Sequence, residues 1–198
     1  VDGAHLVGAS LGGFLGQVFA VKKPHRVLSL MLINSFCDTA PFLKIKPMVG
    51  FGMMPEFYLK KIVLENFNQQ AMDGVKIDAI DFIVENFEQL SRTEVAGRLN
   101  MMCSPYQLGS DNLPDGHITV MNSFDTAHNN CYCQQMLCKK YPTARVADIK
   151  QGGDFPYIAY ADDVNLHLQV HLRNVGCFAH TPMAESLSET SGGDDDLP

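Results

Sequence analysis

The chain is short of positive charge and of anything that would place it across a membrane. Lysines and arginines number 15 against 22 aspartates and glutamates, a net charge of −7 at pH 7. That balance argues against a surface built to neutralise nucleic-acid phosphates. No apolar run is long enough to cross a bilayer, and no secretory leader opens the sequence. The six cysteines include no C-x-x-C pair. Cys131, Cys133 and Cys138 lie close together with His128 nearby, but no second ligand pair follows at a matching spacing. No metal or other cofactor is expected, and reduced thiols are the default. The first residue is Val1 in place of methionine, and the chain opens almost inside a strand, which suggests a piece of a longer polypeptide.

What is present is the composition of one globular domain. With 198 residues, 46% hydrophobic and 19% charged, the chain can bury a real core over residues 1–178. Five acidic residues (Glu185, Glu189, Asp194, Asp195 and Asp196) follow residue 180 with no lysine or arginine among them. Mixed there with serine and glycine, they predict a disordered, solvated tail over 179–198.

Gly8-Ala9-Ser10-Leu11-Gly12-Gly13 carries the most information. An apolar strand-like run, Ala4-His5-Leu6-Val7, precedes it and a helical run from Phe14 to Ala20 follows. A G-x-S-x-G turn between a strand and a helix is the nucleophile elbow of the α/β-hydrolase fold, in which glycines make room for the turn and for close strand–helix packing.

The rest of the pattern agrees. Residues 4–8 predict a strand and 10–22 a helix, ended by Pro24. Arg26 to Asn34 is nearly all apolar, as in a parallel strand buried on both faces. From about residue 39 to 104 no strand is evident. Helices are expected over 55–66, over 78–90, and from the capping box Ser91-Arg92-Thr93-Glu94 through Met101. Together these read as a helical lid whose methionines, among them Met48 and Met72, fill gaps. His117 to Phe124 predicts a strand, 130–141 a helix and 145–150 the last strand. Residues 158–175 alternate like a strand, yet Asp162-Asp163 suits a helix start, and helix is chosen because the family named below ends that way.

An α/β-hydrolase needs serine, acid and histidine in that order, each just past a strand end. Ser10 stands first and Asp125 second. The loop where histidine belongs reads Gly152-Gly153-Asp154-Phe155-Pro156, which puts Asp154 at the base position. A carboxylate is a weaker base than imidazole by roughly 3.5 kcal/mol of proton affinity, and it lacks the second nitrogen that orients and relays the proton. His128 is three residues past Asp125, in a different loop. His167 and His171 share a helix face at i,i+4, where packing or surface roles outweigh a metal pair. One oxyanion donor would be the backbone N–H of Leu11; the other would come from a segment before Val1.

Several segments resemble the maspardin family of acidic-cluster-binding, α/β-hydrolase-like proteins. They are residues 5–15, Asn34-Ser35-Phe36-Cys37-Asp38-Thr39, Leu59 to Leu64, Asp78 to Phe82, Tyr141 to Arg145, and Gly152-Gly153-Asp154-Phe155-Pro156-Tyr157. The resemblance runs from about residue 3 to 173, and it implies that the front third of the family's fold is missing. It also implies a catalytically silent protein, cytosolic but associated peripherally with endosomal and trans-Golgi membranes. The implied partners are the cytoplasmic tail of the helper-T-cell co-receptor, with dampening of T-cell activation, and an aldehyde dehydrogenase family member. The family carries asparagine at the Asp154 position, so this chain departs there while still lacking the base.

Two readings follow. In one, the scaffold is a non-enzymatic binder whose lidded pocket takes an apolar peptide end, with Met53, Met54, Phe57 and Phe155 as lining candidates. In the other, it is a weak serine esterase or lipase using Ser10 and Asp125, with His128 or Asp154 as an improvised base. A sheet that starts at the elbow strand also leaves an unpaired edge, an aggregation hazard.

Overall fold

A computed structural model of the chain describes residues 3–45, 50–64, 73–126 and 131–177. The expected acidic tail, His128, Met48 and Met72 lie outside the described residues.

Four parallel strands form one sheet in the order β1-β2-β3-β4, where β1 is Ala4–Ala9, β2 Val27–Ile33, β3 Ile118–Ser123 and β4 Arg145–Ile149. Parallel neighbours need crossovers, and helices supply them. Helix α1 (Leu11–Lys22) joins β1 to β2, and α5 (Cys131–Lys140) joins β3 to β4. Between β2 and β3 lie α2 (Glu56–Leu64), α3 (Gly74–Glu88) and α4 (Arg92–Met102). After β4 come the short α6 (Pro156–Ala159) and α7 (Ala161–Asn174).

Alternation along the strands divides the core between two faces. Leu30 and Leu32 of β2 and Ile118 and Val120 of β3 pack with Ala20 of α1 and Leu137 of α5. Met31, Ile33 and Met121 point the other way, with Ile149 of β4, and meet Val164 and Leu168 of α7. Burial on both faces explains why β2 reads as a continuous apolar run. The lid has its own core, in which Phe51, Leu59, Val95, Leu99 and Cys103 pack with Met54 and Met102 at its margin. Phe14 stacks on Phe36, with ring centroids 5.0 Å apart, and Phe36 meets Phe42, which also packs in the lid core. This aromatic contact fastens the lid to the elbow helix.

Two expected boundaries are corrected. The helix expected over 78–90 begins four residues earlier, at Gly74, because the Asp73 side chain caps it by accepting from the Lys76 N–H at 3.0 Å. The element expected over 158–175 is helical but broken at Tyr160 (φ −134°, ψ 54°), where α6 stops and α7 starts. The capping box at Ser91 and Glu94 is formed in both directions, which satisfies two end N–H groups of α4.

Candidate functional site

The elbow is built by backbone. β1 ends at Ala9, and Ser10 turns at φ 46°, ψ −120° before α1 begins at Leu11. A non-glycine residue in this region costs on the order of 1–3 kcal/mol and persists only where its surroundings hold it. Here the Ser10 N–H donates to the Ile33 carbonyl at 2.9 Å, and its own carbonyl accepts from Ser35 Oγ at 2.9 Å. The serine is exposed, and its hydroxyl makes no capping bond to α1. Leu11, as the first helical residue, has no carbonyl four residues back within the helix for its N–H.

The glycines divide unevenly. A Cβ on Gly8 would lie 2.6 Å from the Gly13 nitrogen, and one on Gly13 would lie 2.5 Å from Ser35 Oγ. A Cβ on Gly12 would meet nothing within 4 Å. The close strand–helix approach therefore depends on Gly8 and Gly13, although Gly12 is the glycine that completes the sequence motif.

Asp125 follows the end of β3, but it is engaged in a way the sequence did not foretell. Its Oδ1 accepts the Gly153 N–H at 2.9 Å and its Oδ2 the Gly152 N–H at 3.3 Å. Lys76, from the first turn of α3 in the lid, places its Nζ 2.7 Å from the same Oδ2. Burial pushes the Asp125 carboxyl up, but the Lys76 ammonium and the two N–H donors outweigh it and hold the group below the usual carboxylate range. Asp125 in turn raises the Lys76 ammonium. The chain of contacts continues outward: Lys76 Nζ lies 3.2 Å from Asp73 Oδ2, and Tyr160 donates its hydroxyl to Asp73 at 3.1 Å.

Asn34, one residue past β2, closes the other side at φ 43°. Its Nδ2 donates to the Gly153 carbonyl at 3.0 Å, and its Oδ1 accepts the Ser123 N–H at 2.9 Å. Asparagine tolerates left-handed backbone better than other non-glycine residues, and an asparagine directly after an apolar strand was the available signal for it. Lys76 gave none, because only folding brings it to Asp125.

The structure thus gathers Asp125 and the Gly152–Asp154 loop with Lys76 and Asn34. Asp154 and Phe155 line a cleft with Lys76, Ala79 and Ile80 that holds only about 10 Å³, room for at most about one water. Met53, Met54 and Phe57 do not line it. Met54 packs in the lid core, while Met53 and Phe57 are 78% and 67% exposed. A larger groove of about 800 Å³ opens elsewhere, between Cys37–Ala40, Pro105–Leu108 and the Met136–Lys140 end of α5. His171 is a packing residue, buried between Thr119 and Ser29.

Comparison with known proteins bears on the family resemblance and the fold. Maspardin of Danio rerio is 43% identical over 175 residues, covering 87% of this chain and 56% of that protein. Maspardin of Homo sapiens is 43% identical over 174 residues, with the same coverage of 87% and 56%. The chain is similar to maspardin over most of its own length. It spans about half the length of the curated relatives it matches. No family model matches it. Among solved structures, a thermophilic esterase from Thermogutta terrifontis superposes with a TM-score of 0.70 at 16% identity, covering 88% of this chain and 66% of the esterase. The enol-lactonase from Burkholderia xenovorans LB400 gives a TM-score of 0.61 at 14% identity, covering 87% and 66%. At such identities the likeness concerns the fold alone, and it establishes an α/β-hydrolase fold for this maspardin-like chain.

Proposed function

We propose that this maspardin-like chain is a non-catalytic interaction module on a hydrolase scaffold. One observation carries the reading: the carboxylate that would orient a histidine is occupied by the Lys76 ammonium and by the Gly152 and Gly153 N–H groups. A triad acid must accept from an imidazole N–H, so that the imidazole can take the serine proton. Asp125 fastens the lid helix α3 to the β4–α6 loop, the loop in which the sequence reading puts Asp154 at the base position. A lysine held protonated by two carboxylates cannot serve as a replacement base at neutral pH.

In this reading the scaffold binds an apolar peptide end. By resemblance to its relatives, the partners would be the cytoplasmic tail of the helper-T-cell co-receptor and an aldehyde dehydrogenase family member. The setting would be cytosolic, with peripheral association at endosomal and trans-Golgi membranes and a dampening role in T-cell activation. Capture of apolar C-terminal peptides is expected to survive Ser10→Ala; loss of capture by a folded Ser10→Ala protein would sink the reading.

A weak serine esterase is the rival. The strained, exposed Ser10 and the Leu11 N–H at the start of α1 favour it. A fluorophosphonate probe separates the two. The binder leaves Ser10 unlabelled, whereas labelling abolished by Ser10→Ala favours the esterase.

A further inference from the structure

A second polar chain runs beneath α7, on the sheet face away from α1 and α5. His5 Nδ1 lies 2.7 Å from Ser29 Oγ, the same oxygen lies 2.8 Å from His171 Nε2, and His171 Nδ1 lies 2.8 Å from Thr119 Oγ1. The register sets this up: His5 of β1 pairs with Ser29 of β2, and Thr119 of β3 pairs with Arg145 of β4. Ser29, Thr119 and His171 are all buried. Their hydrogen bonds tie three strands to the last turn of α7.

The chain balances only while at least one of the two imidazoles stays neutral. A neutral His171 donates from one nitrogen and accepts at the other, and each flanking hydroxyl can rotate to match. Once protonated, His171 donates from both nitrogens, so Ser29 and Thr119 must both accept. Ser29 then has its own proton left for His5 Nδ1. If His5 is also protonated, that acceptor is gone, and two cations face one buried oxygen.

The surroundings disfavour a positive charge on His171. His5, Arg145 and His117 all act on His171 in the same direction. Burial first, then these three neighbours, hold its imidazole below the ordinary value of 6.5. On α7 itself, His167 and Arg173 flank it. The carboxylates of the neighbouring elements are committed elsewhere: Asp115 accepts from the Thr143 N–H and hydroxyl, and Asp148 from Asn122. Asp162 and Asp163 stand at the opposite end of α7, in its first turn.

We propose that the His5–Ser29–His171–Thr119 chain is a proton-sensitive fastening that holds α7 on the sheet at neutral pH and releases it in acid. A group whose folded form resists protonation stabilises the docked state above its unfolded pKa, and that contribution is lost as pH falls. The full effect is therefore present above about pH 6.5 and declines below it.

Hydrogen exchange on the whole chain at pH 7.5 and 5.5, corrected for intrinsic exchange, tests this. In the wild type, protection of α7 amides is expected to fall about tenfold more than that of α4, the most that one proton of linkage gives over this range. His171→Gln keeps hydrogen bonding without titrating, and it should abolish the extra loss. If that variant does not fold, His5→Asn is the second test, and it should shrink the loss. An equal response of α7 and α4 in the wild type overturns the proposal, as does an unchanged acid response in either folded variant. The proposal also fails if the His171 imidazole, followed by NMR, titrates at or above its ordinary value.

Discussion

At the scale of single residues, the elbow shows how a motif and its mechanics differ. Gly8→Ala forces a methyl group into the Gly13 backbone, and we expect it to cost about 3 kcal/mol or more, or to prevent folding, read by urea denaturation. Gly12→Ala meets open space and replaces a helical glycine, so it should be neutral or stabilising by up to about 1 kcal/mol in the same assay. Equal destabilisation by the two would contradict the geometry. Lys76 supplies a second prediction. Lys76→Met keeps the stem but removes the ammonium, so the Asp125 carboxyl should titrate at higher pH, as followed by carbon NMR. The stability cost at neutral pH should be about 1 kcal/mol, since the pair is partly exposed to solvent. Asp125 is held below its ordinary 3.8, and Lys76 above its ordinary 10.5. The pair therefore contributes fully between those values, fades as pH falls through the lowered carboxyl pKa, and fades again as pH rises through the raised ammonium pKa. Ser10 and Asp125 were legible in the sequence as strand-end residues. Lys76 was not, because it lies 49 positions before Asp125 on another element and only the folded lid brings it close.

At the scale of elements, local signals were read well where they were local. The Ser91–Glu94 box, the apolar run of β2 and the breaks at Pro24 and Pro142 are all chemistry within a few residues. Ser91→Ala should lower stability by about 1 kcal/mol, measured by thermal or urea unfolding, because it removes a cap that the Glu94 N–H uses. The start of α3 was missed because its cap, Asp73, is followed by a glycine that interrupts the apolar periodicity. The alternation in α7 looked strand-like for a physical reason. Only Val164 and His171 of that helix are buried, so its inward stripe is narrow, and leucines such as Leu166, at 59% exposure, fall on the solvent side.

For the whole molecule, the sheet places its chemistry at one end and its edge problem at one side. All four strands are parallel, so the carboxyl ends of β1 to β4 converge on Ser10, Asn34, Asp125 and the Gly152–Gly153 loop. β1 and β4 are the two outer strands among the described residues, and beside β1 the side chains of Val7, Leu15, Phe19 and Leu28 are between 41% and 49% exposed. An open strand edge with apolar neighbours templates self-association. Val7→Lys is expected to reduce concentration-dependent light scattering of this chain at neutral pH, whereas no change would place the sticky surface elsewhere. The core itself is conventional: Leu30→Ala should cost about 2–5 kcal/mol in urea unfolding, because Leu30 is buried on both the sheet and helix sides.

The sequence alone determined the order of strands and helices as far as β4, the elbow turn, an aspartate just past the end of β3 and the absence of a histidine from the last loop. Each of these is a short-range pattern of side-chain size, polarity and backbone freedom. Only the tertiary structure decided what Asp125 does, which glycines the elbow needs, and that two histidines meet through one serine. Those contacts join residues far apart in the chain, and their energies arise only when burial removes water and packing fixes the distances.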